Sequence, residues 1–168
     1  MSYESAYINL IKSLSKNLPI RKDGRIDYTT ARKAPVLTIF IRFNKKILLL
    51  KRSQEVLTYK GKWNTVAGYL DQLRPLDEKV KEELSEELGF NEKDITSYYL
   101  GSTYSFDDEE IQKTWVIFPV LVDLNDKPKI VLDWEHTDYK WIYPEEIDQY
   151  DTVPNAKKSL RYALESLK

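Results

Sequence analysis

The chain has 168 residues, enough for one domain with a sizeable core, and 42% of them are hydrophobic, as in soluble globular proteins. Basic and acidic residues nearly cancel, 26 against 27, which leaves no electrostatic footprint for nucleic acid or an anionic membrane. With no cysteine and a single histidine, disulfides, thiolate zinc sites, cysteine nucleophiles and multi-histidine metal sites are excluded; a metal here is expected on oxygen ligands, which points to Mg²⁺, Mn²⁺ or Ca²⁺.

Taken in chain order, Tyr3, Tyr7, Leu10, Ile11, Leu14 and Leu18 recur at helical spacing, so an amphipathic helix opens the chain and Pro19 ends it. This segment lacks the basic-then-apolar order of a signal peptide, and apolar runs fall far short of the ~20 residues a spanning helix needs. A cytoplasmic protein is expected. Residues 20–34 read as a polar connector with a turn at Asp23-Gly24. Val36 to Phe43 and Ile47 to Lys51 read as a hairpin around Asn44-Lys45-Lys46, and Gln54 to Lys62 as a loop. Trp63 to Ala67 is a short strand. Leu76 to Leu88 is a helix, with Pro75, Asp77 and Glu78 suiting its start and Gly89 its stop. Ser97 to Phe106 and Ile111 to Asp123 are strands around the acidic turn Asp107 to Glu110. Tyr139 to Ile142 is a further strand, Pro144 to Gln149 a helical turn, and Pro154 to Leu167 a closing helix. Hairpins without a regular βαβ period predict a mixed sheet with helices packed on it, an α+β fold.

The helix at 76–88 conflicts with itself. Leu76, Val80, Leu84 and Leu88 form its core stripe, while Glu83, Glu86 and Glu87 share a neighbouring face, with Glu82 at the edge. Like charges at this spacing cost about 0.2–0.5 kcal/mol each, and their place near the helix C-terminus costs roughly 0.3–1 kcal/mol more apiece. Lys79 offsets part of this through Glu83; Glu86 and Glu87 have no local partner in the sequence. A divalent cation on these carboxylates would remove the conflict. On spacing alone, a solvated acidic face is the favoured reading.

The segment from Gly68 to Phe90, GYLDQLRPLDEKVKEELSEELGF, resembles the Nudix box, G-x5-E-x7-R-E-U-x-E-E-x-G-U, where U is a bulky apolar residue. Gly68, Glu83, Leu84, Glu86, Glu87, Gly89 and Phe90 fall at the required spacing. Two positions depart: Arg74 stands where the family has glutamate, and Glu82 where it has arginine. The two departures read as either a compensated charge swap that keeps the bridge in reverse, or two independent losses with Lys81 in the arginine's role. LLLKRS before the box, GKWNTVAGYL leading into it and WEHTDYKWIYPEEI late in the chain also resemble family segments.

The resemblance implies a Nudix-like α/β/α sandwich over 34–168, preceded by an extra N-terminal helix and connector over 1–33. It further implies hydrolysis of a phosphoanhydride bond in a nucleoside diphosphate linked to another moiety. Mg²⁺ would be the cofactor, with Mn²⁺ the alternative, on Glu83 and Glu87. Glu86 would be a third ligand or a base acting through water, and the Gly68 carbonyl would complete the shell. Glu135 is the second candidate for general base or accessory ligand. Arg52 and Lys51 are candidates for the phosphates, and Trp63, Tyr69 and Tyr104 for stacking on a base. His136 reads first as a satisfied structural side chain, and Asp107 to Glu110 as a hairpin cover. The expected partner is a small nucleotide or nucleotide derivative, such as a nucleoside triphosphate, dinucleoside polyphosphate, nucleotide sugar or ADP-ribose. No nucleic acid or membrane partner is expected. The N-terminal helix has two readings, a homodimer contact or a cover over the pocket. The competing function is a nucleotide sensor that does not cleave; an isopentenyl diphosphate isomerase of related fold would need a cysteine this chain lacks.

Overall fold

The computed structural model describes residues 3–167. An eight-stranded mixed sheet carries helices on both faces. Its longest pairing is parallel, between β1 (Lys33–Phe43) and β7 (Lys113–Leu124), running from Lys33 opposite Thr114 to Arg42 opposite Asp123. All other pairings are antiparallel, so no βαβ series develops.

The β1–β2 hairpin (β2, Lys46–Arg52) turns on Asn44 and Lys45, at φ 47° and 65°. That is the left-handed pair a two-residue hairpin of the favoured twist demands. Beyond the turn the two strands splay apart. The chain at 63–69 enters the gap, β3 (Trp63–Asn64) pairing with β2 and β4 (Val66–Tyr69) with β1. The short strand expected at 63–67 is therefore two strands, broken where the Thr65 hydroxyl turns back onto the Ile39 carbonyl. The strand expected over 97–106 is likewise two, β5 (Ile95–Leu100) and β6 (Tyr104–Asp108), each covering half of β7. Gly101 marks the break, because its Cα lies against the Tyr162 backbone with no room for a Cβ. The last strand, β8 (His136–Ile142), starts three residues earlier than the sequence suggests and pairs with β2.

Alternation along the strands sorts the side chains into two cores. Leu37, Ile39, Ile41, Leu48 and Leu50 face α2 (Leu76–Leu88) and α1 (Tyr3–Leu14); Phe40, Ile47 and Leu49 face α3 (Ala156–Glu165). Helix α1 stops at Leu14, short of Pro19, and buries Tyr7 and Ile11 in the first core, Tyr7 edge-on to Phe118 at 5.6 Å. The N-terminal segment thus shares the core of the rest of the chain. The side chain of Tyr3 lies outside the described residues. The connector forms a small bridge between Ile20 and Ile26, and Ile26 N–H donates to the Asp71 carbonyl. No described helix is long and apolar enough to cross a membrane.

Candidate active site

Helix α2 has the bounds the sequence predicts. Gly89 closes it at φ 72°, donating to the Ser85 carbonyl while Phe90 donates to that of Leu84. This double C-cap suits glycine's access to the left-handed region. Two adjacent rows of α2 are buried. One is the apolar row Leu76, Val80, Leu84 and Leu88. The other is Lys79, Glu83 and Glu87, at only 2%, 7% and 4% exposure. A buried row of one ammonium and two carboxylates carries a net charge that only the surroundings can balance.

Lys79 supplies the first part of that balance. Its Nζ lies 2.7 Å from Glu83, 2.9 Å from Glu82 and 3.3 Å from Asp71. Burial pulls the ammonium down, but these three carboxylates outweigh it and hold the group raised. Glu82 also bonds Arg74, so the two residues that depart from the box form its bridge with signs reversed. Arg25, from the connector, adds contacts to Asp71 and Glu82 at 3.6 Å and to Glu86 at 3.9 Å. Arg74 and Glu82 are each about a quarter exposed. A double-mutant cycle on Arg74→Ala and Glu82→Ala, read by thermal melting, is therefore expected to give a coupling of only about 0.5–1 kcal/mol.

Gly68 sits against this row. A Cβ there would stand 2.5 Å from the Glu83 carboxyl carbon, which Lys79 holds in place. Its φ is not in the left-handed region, so only the close approach demands glycine. Gly68→Ala is expected to lower kcat roughly tenfold by displacing Glu83 while leaving the melting temperature within a few degrees; unchanged turnover would contradict this role.

Glu87 receives no such help. Its Oε2 is buried without a hydrogen-bond partner among the described residues. Burial drives the Glu87 carboxyl well up, and the charges of Glu83, Glu135 and Asp133 push the same way. The Glu83 carboxyl is also raised by burial, against the pull of Lys79. Glu135 reaches the cluster from the turn before β8, and burial and Asp133 raise its carboxyl too. An anion-rich site with an orphaned carboxylate oxygen fits a hard divalent cation. Among the described residues, ligand atoms of Glu87, Glu135 and His136, and separately those of Glu82, Glu83 and Glu86, lie within 4.8 Å of one another. Glu86 is exposed at the rim beside Arg25.

His136, read from the sequence as structural, lies within this site. Its Nε2 is 3.9 Å from Glu87 Oε2, and its Nδ1 is 3.1 Å from Asp133. Arg52 stands near Glu135 and Glu87, where burial pulls its guanidinium down against their attraction. Its Nε and one terminal nitrogen donate to the Thr58 carbonyl, so it anchors the 53–62 loop. Lys51 alternates to the other face of β2 and lies 5.9 Å from the centre of the Trp63 ring, which packs with Tyr150 against the second core. Tyr69 stacks on Tyr28 at 5.6 Å and borders Trp115 at 5.8 Å. Tyr104 stacks on Tyr162. These aromatics already have aromatic neighbours within the fold. Asp108 is buried and accepts from Tyr59, a tie between the 53–62 loop and β6. Sequence reasoning passed over Arg25, Asp71 and Asp133 because they join the site through turns that carry no periodic signal.

A model of the NUDIX domain matches residues 31–163, and the chain belongs to that family of pyrophosphohydrolases acting on nucleoside diphosphate derivatives. Among curated proteins it is similar to nucleoside triphosphatase NudI of Escherichia coli O139:H28 (strain E24377A / ETEC), at 22% identity over 135 residues, 77% of this chain and 96% of that one. Among solved structures it is similar to the MutT protein of Methanosarcina mazei Go1, with TM-score 0.65, 25% identity and coverage of 81% and 96%. The fold also matches a bifunctional NMN adenylyltransferase/ADP ribose pyrophosphatase of Francisella tularensis complexed with AMP and a Mn ion. There the TM-score is 0.66 at 17% identity, covering 98% of this chain and 48% of that one.

Proposed function

We propose that this protein is a Mg²⁺-dependent hydrolase, with Mn²⁺ as alternative, cleaving a phosphoanhydride bond in a nucleoside diphosphate linked to another moiety. The observation that carries this reading is the buried row Lys79–Glu83–Glu87, whose last carboxylate has an oxygen without a hydrogen-bond partner among the described residues. Glu83 and Glu87 would hold the cation, with the Gly68 carbonyl at their side. When bound, the cation neutralises phosphate oxygens and aligns the bridge.

The protein's own part is positioning and proton transfer. Lys79 and Gly68 fix Glu83; Arg74 and Glu82 fix the loop that leads into α2. Water forms a bond to phosphorus as the bridging P–O bond breaks, the bridging oxygen leaves with the bonding pair as a phosphate or nucleotide anion, and the water's proton passes to a carboxylate. Glu86, open to solvent at the rim, and Glu135, raised by burial, are the candidate acceptors. Arg52 keeps the neighbouring loop in place. The NudI relative, a nucleoside triphosphatase, and the AMP complex of the F. tularensis structure support a nucleotide derivative as substrate. The reading includes a cytoplasmic location, in keeping with a cysteine-free chain. The sensing alternative rests on the departures at Arg74 and Glu82, and the reversed bridge removes its motive.

The test is phosphate release from a panel of nucleotides with Mg²⁺ or Mn²⁺, run beside Glu83→Gln. Turnover of at least one nucleotide, lost in the variant, is the expected result. No turnover across the panel would overturn the reading.

A further inference from the structure

The sole histidine has no part in the family pattern and none in the mechanism above. It is buried at 6% exposure, and its Nε2 lies 3.9 Å from Glu87 Oε2, a buried carboxylate oxygen without a hydrogen-bond partner among the described residues. Asp133, at 3.1 Å from Nδ1, also accepts from the Glu135 backbone N–H. Donation by Nδ1–H to that carboxylate leaves the Nε2 lone pair facing Glu87. A carboxylate behind a ring whose other nitrogen is open is the arrangement that orients metal-ligating histidines. Ligand atoms of Glu87, Glu135 and His136 lie within 4.8 Å of one another. Opposed ligands on a small divalent ion stand about 4.2 Å apart, so modest side-chain movement closes the set.

We propose that Glu87, Glu135 and His136 form a mixed nitrogen–oxygen cation site that prefers Mn²⁺ or a later first-row divalent ion over Mg²⁺. It rests on the hydrolase reading, because it shares Glu87 with that site. The imidazole selects: nitrogen donors suit transition ions, whereas Mg²⁺ keeps to oxygen and water. The all-oxygen set expected from the sequence is thereby extended by one nitrogen. Glu135 is then committed to the cation, and the proton from water falls to Glu86.

Because His136 is the only histidine, the experiment needs no variant to assign its signal. Untagged protein is loaded with Mn²⁺ and its electron spin echo envelope is recorded with natural and ¹⁵N-histidine-labelled protein. The expected result is one directly bound nitrogen whose coupling changes with the label. Alongside it, His136→Gln should weaken Mn²⁺ binding about 10–100-fold and Mg²⁺ binding far less, with its fold checked by circular dichroism. Bound Mn²⁺ with no nitrogen coupling overturns this site and leaves the hydrolase reading intact. Failure of the wild-type protein to bind either Mn²⁺ or Mg²⁺ overturns both.

Discussion

Glu87→Gln is expected to abolish most turnover and at the same time to make the cation-free protein more stable. Loss of one ligand carboxylate removes several kcal/mol of charge stabilisation from the transition state, roughly 10²–10³ in kcat. In chelator the balance reverses. The wild-type carboxylate is buried beside Glu83, Glu135 and Asp133 with one oxygen unpartnered. An amide of the same shape carries no charge and donates to Glu83 or Glu135, a gain of about 1–3 kcal/mol, the penalty of an unsatisfied buried group. The sign with pH follows. A carboxyl raised in the folded state binds more protons there than in the unfolded chain, so its ionisation removes stability as pH rises above the ordinary carboxylate value. The variant's advantage should therefore be present at neutral pH and vanish in acid, where both forms are uncharged. Melting curves in EDTA across that range check it. A variant less stable than wild type at neutral pH would contradict the strain assigned to Glu87.

Lys79→Met is expected to be the most destabilising single change in α2. The substitution preserves volume and removes the ammonium that Glu83, Glu82 and Asp71 share. Breaking a buried ion pair by deleting one partner costs about 3–5 kcal/mol. Arg25 and Arg74 retain part of the balance at Glu82 and Asp71, so the lower end applies. The loss should be partly recovered by adding Glu83→Gln, since the two side chains then no longer leave a naked charge. Urea unfolding of the single and double variants checks this. Equal destabilisation of both would mean that Lys79 acts through packing alone.

Much of this architecture was legible because it is periodic. The bounds of α2, its glycine stop and the hairpin turn at Asn44-Lys45 follow from local rules. Glu83, Glu86 and Glu87 could be grouped by helical arithmetic, but their burial could not. The sequence shows them on a common face; the fold sends Glu83 and Glu87 inward and leaves Glu86 at the rim. That split depends on where the sheet lies relative to the helix, which no window of residues encodes. Breaks at Thr65 and Gly101 were invisible for a related reason, as each answers a contact distant in sequence. The place of His136 beside Glu87 was hidden because a lone histidine has no spacing partner. Only the meeting of β8 with α2 gives it one.

The reversed bridge between Arg74 and Glu82 is also an entrenched one. Restoring the family order, with glutamate at 74 and arginine at 82, would set a guanidinium against the ammonium of Lys79 and the guanidinium of Arg25, both now neighbours of Glu82. The familiar arrangement would therefore be the harmful one in this background. A residue transplanted from a relative into this helix will be judged by its new neighbours.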